Sequence, residues 1–452
     1  MTTFSAERSA ALGGPEWLRR RRADAFDEFV TVPLPSEKEE VWRYTPIDDL
    51  RLDDYAPSAP AGVGVGGAGP EDPLAAAYLA GLIDDLPEHS ATVCVLDGAV
   101  ATVDRLSLEP SVVVGSIAST GDATLLGSVL SGGDALVRLN DAFHPDALVV
   151  DVPAGVVVDA PIVVVHWCAT GGSSAGPAAP ASFPRTVVRL GTGAQASVVE
   201  VVAGAPGNER ALVVPVTELV AGDASHLSYV SLQVLGSAAW HIGRLAASAG
   251  RDATVATFTV GLGGSYDRSR TDAVAKGQGS STALRSAYLG TGEQIHDVRT
   301  LQDHVAPHTT SDLLCKGAVA GTSRSVYSGL IRVRRGAVRT VAFQTNNNLV
   351  IDARAHADSV PNLDIEENDV RCSHASTVGP VDEDQRYYLE SRGVAPEDAE
   401  RLIVLGFFDD IVERSPVPAF VPRLRREVGL RLVDALGTTD VLGTAGKGAS
   451  DG

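Results

Sequence analysis

Residues 148–166 read LVVDVPAGVVVDAPIVVVH, and the same texture returns at 340–352 as TVAFQTNNNLVID. Both place short β-branched runs between Pro, Gly, Asp or Asn, a pattern of strands cut by turns rather than of helices. Between them lie TVVRLGTGAQASVVEVV (186–202), ATVATFTVGLGG (253–264) and SVYSGLIRV (325–333), which are of the same kind. Helical periodicity is weak from about 146 to 375, so the span is predicted to be strand and turn throughout. Many short strands of this sort build a sandwich, a barrel, a propeller or a β-solenoid. No strict sequence repeat chooses among them. The run Asn346, Asn347, Asn348 leans towards the solenoid, where stacked Asn side chains hydrogen-bond from coil to coil.

Helical patterns flank this centre. Residues 6–29 are charged and helix-like, and a Pro/Gly loop, PSAPAGVGVGGAGPEDP, spans 57–73. ATVCVLDGAV (91–100) and PSVVVGSI (110–117) read as strands, and DALVRLNDAF (134–143) spaces Leu136, Leu139 and Phe143 along one helix face. Beyond 380, Asp382 stands three residues before Gln385 as in a capping box, and Gly393 marks a stop. Pro396, Glu397 and Asp398 suit the first turn of the next helix. Its apolar residues Leu402, Ile403, Phe407 and Ile411, with Phe408 on another face, fit packing on a neighbour or docking a partner. A third helix is expected over 421–436. The predicted division is a mixed region at 1–145, the strand-rich core at 146–378, a helical region at 379–436 and a disordered tail at 437–452.

The composition excludes several partners. Lys and Arg number 37 against 57 Asp and Glu, for a net charge of −20. Such a surface repels phosphate backbones and anionic lipid, so neither nucleic acid nor membrane is an expected partner. The apolar stretch 147–167 is broken by Asp151, Asp159 and two prolines, unlike a membrane span. Four scattered cysteines (Cys94, Cys168, Cys315, Cys372) form no CxxC pair, which fits a reducing cytoplasm.

The chemistry-bearing motifs are few. Gly62, Gly64 and Gly67 satisfy GxGxxG but sit in a Pro/Ala/Gly tract, without the strand and helix that dinucleotide binding needs. No GxxxxGK[ST] or HExxH occurs. His296, His304, His308 and Cys315 fall within twenty residues, yet do not form a closed ligand set. Cys372 and His374, two apart in an extended chain, point the same way and could share a metal whose remaining ligands come from another chain. The acid pairs Glu366/Glu367 and Asp382/Asp384 raise a different reading, a carbohydrate-active β-helix enzyme. Adjacent strand residues face opposite ways, and a helix cap accounts for the second pair.

The phrases HVAPHTTSDLLCKG (304–317), GTSRSVYSGLIRV (321–333), VAFQTNNNLVI (341–351), PNLDIEENDVRCSHASTVGPVDEDQRYYLESRGV (361–394) and APEDAERLIVLGFF (395–408) resemble the SufB/SufD family of iron–sulfur cluster assembly proteins. EVWRYTPIDDL (40–50) is similar to an N-terminal motif of its SufD members. SufB-like chains place Glu after the matched His, where this chain has Ala375, so the resemblance favours SufD over a SufB-like main scaffold. Family members often carry Gly-Ala where this sequence has Ala375-Ser376. The resemblance implies a right-handed parallel β-helix between an N-terminal mixed region and C-terminal helices. It implies a scaffold without its own ATPase, a SufB-like partner paired to the β-helix, and a SufC-like ABC ATPase docked on Leu402, Ile403, Phe407, Phe408 and Ile411. His374, with Cys372 beside it, would hold iron or a nascent cluster shared with SufB. The sequence leaves open whether the chain alone forms a homodimer through the same face. No residue pattern assigns a flavin.

Overall fold

The computed structural model describes residues 3–58, 73–130, 132–168, 178–204 and 207–436. The Gly62, Gly64 and Gly67 motif and the 437–452 tail lie outside the described residues. The chain is mostly β, a solenoid of about seven turns with an N-terminal α/β region and C-terminal helices. Strands alternate between two parallel sheets. One runs from Leu148–Val152 to His356–Ile365, the other from Ile162–Cys168 to Arg371–Pro380. The apolar stretch at 147–167 therefore supplies one strand to each sheet. No helix among the described residues is long and apolar enough to cross a membrane.

Each coil takes roughly 30 residues: Trp240 lies beside Tyr266, Tyr266 beside Ile295, Ile295 beside Arg324, and Arg324 beside His356. The repeat missing from the sequence is present in the backbone. Gly193, Ala224, Asp252, Gly279, His308 and Arg339 all have positive φ at equivalent corners. Their amides each donate to a carbonyl of the next coil, from Gly193 to Asp223 through to Arg339 to Asp369. Geometry is conserved from corner to corner while residue type is not. His308 is thus an exposed corner residue; His296 and His304 face inward on Ile295–His304, and Cys315 lies on the opposite sheet.

The interior is filled by inward Val, Leu and Ala residues such as Val164, Val188, Val198, Leu219 and Leu245. Polar groups are interleaved in it. Glu200 accepts from His166 at 3.0 Å, Thr217 at 3.1 Å and the Tyr229 hydroxyl. Burial pushes this carboxyl up, but His166, with the Thr186 and Tyr229 hydroxyls, outweighs it and holds the group below its usual range. The Asn run behaves differently from a stacked Asn ladder. Asn346 and Asn348 point inward and bond to each other at 2.7 Å, while Asn347 accepts from Thr377 of the next coil at 2.8 Å. Cys315 and Ser376 flank Asn346 in register, so Asn cannot stack on Asn.

The two ends of the solenoid are finished differently. At its start Ala91–Leu96 and Ala99–Arg105 form an antiparallel hairpin whose turn puts Asp97 and Gly98 at positive φ, and Val113–Ser116 pairs antiparallel with Leu148–Val152. At its far end both sheets stop at a parallel edge.

The flanking regions cover the outer faces. The N-terminal region begins with two helices, Ala6–Ala11 and Glu16–Phe29, divided where Gly13 and Gly14 take positive φ before Pro15. Trp42 of the 40–50 motif is buried under the Arg268 guanidinium, 3.6 Å from its ring, and Arg268 and Arg299 bind the carbonyls of Val41 and Arg43 at 2.7 and 2.8 Å. Leu136, Leu139 and Phe143 of the Ala135–Phe143 helix are buried as their spacing predicted. A second fastening is electrostatic. Arg185 meets Glu218 at 2.6 Å and Asp141 at 3.1 Å, and Glu218 also accepts the backbone amides of Gly127, Val129 and Leu130. Burial alone would raise the Glu218 carboxyl; Arg185 and the three amides hold it below its usual range. Arg185→Ala leaves that charge buried and unpaired, so denaturant unfolding should show a loss of about 3–5 kcal/mol. A loss under about 1 kcal/mol would contradict this account.

Candidate functional site

The final coil is a cut cross-section of the solenoid. His356–Ile365 repeats the register of Arg324–Val333, setting Leu363 beside buried Ile331 and Ile365 beside buried Val333. Both positions face the core, yet each is 39% exposed because no further coil covers them. Arg371–Pro380 repeats Val341–Val350, setting Cys372 beside Ala342, His374 beside Gln344, Ser376 beside Asn346 and Val378 beside Asn348. Cys372, His374, Ser376 and Val378 therefore share the inward face. Ser376 bonds to Ser359 across the coil at 2.6 Å, and Ser359 to Asn346 at 2.7 Å, which confirms that orientation.

His374 is exposed on this rim. Cys372 is half-buried against Ile331, Val333, Ala337 and Ala342. Burial pushes the Cys372 thiol up, so it stays protonated near neutrality unless a metal displaces the proton. Cys315 is wholly buried and its thiol is pushed up to about 12. Among the described residues, no group of three or more His, Cys, Asp or Glu side chains is placed to hold a metal ion. Cys372 and His374 thus offer two donors on one face and no closed set.

The acid pairs serve the backbone. Glu366 and Glu367 accept the amides of Arg335 and Gly336 at the preceding corner. Asp382 caps the Glu383–Ser391 helix by accepting from Asp384 and Gln385, and Gly393 ends it at φ 90°.

The Pro396–Val412 helix lies on the outer face of the second sheet. Lys316 reaches the Phe407 carbonyl at 2.9 Å and Asp410 at 2.7 Å. Phe408 and Ile411 are buried in the chain's own core with Val404 and Leu424. Leu402 is exposed and lines, with Ile403, Phe407, Tyr388 and Leu389, a groove of about 840 Å³ between this helix and Glu383–Ser391. Sequence reasoning missed Gln344, Ser359 and Ser376 around His374. The offset of 30 that sets Gln344 beside His374 and Asn346 beside Ser376 comes from the strand register, not from any repeat in the sequence.

A family described as SUF system FeS cluster assembly, SufBD core domain, matches residues 172–407. The chain belongs to this family. It is 27% identical to the iron-sulfur cluster assembly protein SufD of Escherichia coli K12 over 407 residues, covering 90% of this chain and 91% of that one. It is 27% identical over 410 residues to protein ABCI7, chloroplastic, of Arabidopsis thaliana, covering 88% and 83%. With SufD of Bacillus subtilis 168 it shares 30% over 204 residues, 45% and 46% of the two chains. Within the SufBD family it is most like SufD.

The burial order of the thiols sets their reactivity. Alkylation of the native protein, followed by mass spectrometry, should modify Cys372 well before Cys168 and Cys315, which should react only on unfolding. Equal rates for Cys372 and Cys315 would contradict the placement of these side chains.

Proposed function

We propose that this chain is a non-catalytic, SufD-like scaffold subunit of a cytoplasmic assembly that builds iron–sulfur clusters. Its open solenoid end pairs with a SufB-like paralogue, and its C-terminal helices dock a SufC-like ABC ATPase. The observation that carries the reading is the unfinished last coil, where core-facing Leu363, Ile365 and Val378 and two unpaired strand edges are exposed. Apolar surface and free backbone groups of this kind favour the addition of another coil. Cys372 and His374 lie on that rim, so a second chain seated there could complete the ligand set that these two donors leave open.

In this reading iron or a nascent cluster is cargo. His374 contributes a neutral imidazole lone pair and Cys372 a thiolate formed as metal binds, ligand types suited to iron–sulfur chemistry. ATP-driven closure of the docked ATPase pulls on the helices over Leu402, Ile403 and Phe407 and rearranges the paired coil ends, a switch carried between subunits. Phe408 and Ile411 support that helix from beneath. Without the paralogue, the same end pairs with a second copy of this chain.

Co-purification with the paralogue and the ATPase, followed by anaerobic reconstitution with iron and sulfide, tests the proposal. His374→Ala should leave the complex intact and lower cluster absorbance several-fold, with a smaller fall for Cys372→Ala. Undiminished absorbance in the His374→Ala complex would assign the chemistry wholly to the partner.

A further inference from the structure

The floor of the open end contains an unexplained side chain. Gln344 is 1% exposed, and among the described residues neither its amide nitrogen nor its amide oxygen has a hydrogen-bond partner. Leaving both ends of a buried carboxamide unpaired costs stability, and such groups in folded proteins normally have partners. Its neighbours show the contrast. Asn346, two residues along the same inward face, donates to the Cys315 carbonyl at 3.4 Å and accepts from Asn348 and Ser359, each at 2.7 Å.

Gln344 has been given space. On the facing strand stands Gly329, where an added Cβ would fall 2.5 Å from the Gln344 amide nitrogen and 2.4 Å from the Tyr327 hydroxyl. Any larger residue would push the carboxamide away from the centre of the coil. The side chain directly above it is His374, its in-register neighbour in the last coil. Neighbouring strands stand about 4.8 Å apart, so the two side chains lie within reach of each other.

We propose that Gln344 is a positioning residue for His374: its amide oxygen accepts the N–H of the imidazole, so that the other ring nitrogen offers its lone pair to ferrous iron at the open end. A ligating imidazole requires one nitrogen free of its proton, and a hydrogen bond at the other sets the tautomer and the ring orientation. Gln344 can supply that bond because no other group among the described residues donates to its oxygen. This inference rests on the reading of His374 as an iron-holding group.

Titration of the intact anaerobic complex with ferrous iron alone tests it, with assembly checked by size-exclusion chromatography. His374→Ala should abolish the site. Gln344→Leu should weaken binding about tenfold or more, the usual effect of removing a partner of a ligating His. Gln344→Asn keeps the polarity but loses the reach, so it should fall with Gln344→Leu; if the Leu variant fails to assemble, this one carries the test. Gln344→Glu restores an acceptor at the same distance and should recover binding to within about twofold of wild type. The double variant Gln344→Leu/His374→Ala should bind no worse than His374→Ala alone. If His374→Ala loses iron while Gln344→Leu and Gln344→Asn bind as wild type, or if Gln344→Glu fails to rescue, the positioning role is overturned. If His374→Ala itself binds as wild type, or the wild type takes up no iron, the reading beneath it has failed.

Discussion

The structure depends on parallel, in-register stacking of one coil on the next. Every strand in the body of the solenoid satisfies its backbone groups by pairing with strands about 30 residues before and after it. Such a stack cannot close on itself, so each end must be dealt with separately. The start is closed by turning antiparallel at Asp97 and Gly98. The finish at Arg371–Pro380 remains a parallel edge with the core cut open beside it. That asymmetry is why exposed core-facing residues and the Cys372–His374 pair occur at the same place.

Stacking also explains how side chains far apart in sequence become neighbours at the open end. Cys372, His374 and Ser376 are consecutive inward positions of one strand, and Ala342, Gln344 and Asn346 lie directly beneath them. Ser359, on His356–Ile365, joins the opposite sheet to this face through Ser376 and Asn346. The flanking regions hold the stack from outside. Arg268 and Arg299 clamp the 40–50 segment on one sheet, and Lys316 holds the Pro396–Val412 helix on the other. Force applied to that helix therefore reaches the Thr310–Val319 strand, two coils from the rim in the same sheet as His374.

Much of this was legible in the sequence, because strand runs, caps and helix faces are local. The Asp382 cap, the Gly393 stop and the buried face of Ala135–Phe143 need only their own neighbourhood to be read. The coil repeat was not legible, because the positive-φ corners are occupied in turn by Gly, Ala, Asp, Gly, His and Arg. Corner geometry, not side-chain identity, is what the stacking requires. Around the candidate site, Cys372 and His374 stood out as a pair. Gln344 did not, because its relation to His374 exists only once the register is known. The helix at 396–412 shows the same limit, since its apolar residues divide between core and groove only when the sheet beneath it is in place.

The central claim is that the Arg371–Pro380 edge is completed by a partner's coil. Amide hydrogen exchange of this strand, measured on the chain alone at a concentration where it is monomeric and again in the complex with a SufB-like paralogue, tests that most directly. The account predicts that amides of Arg371–Pro380 and His356–Ile365 become at least tenfold more protected on assembly, while those of Leu148–Val152 are unchanged. Assembly without added protection in the last two strands would contradict it.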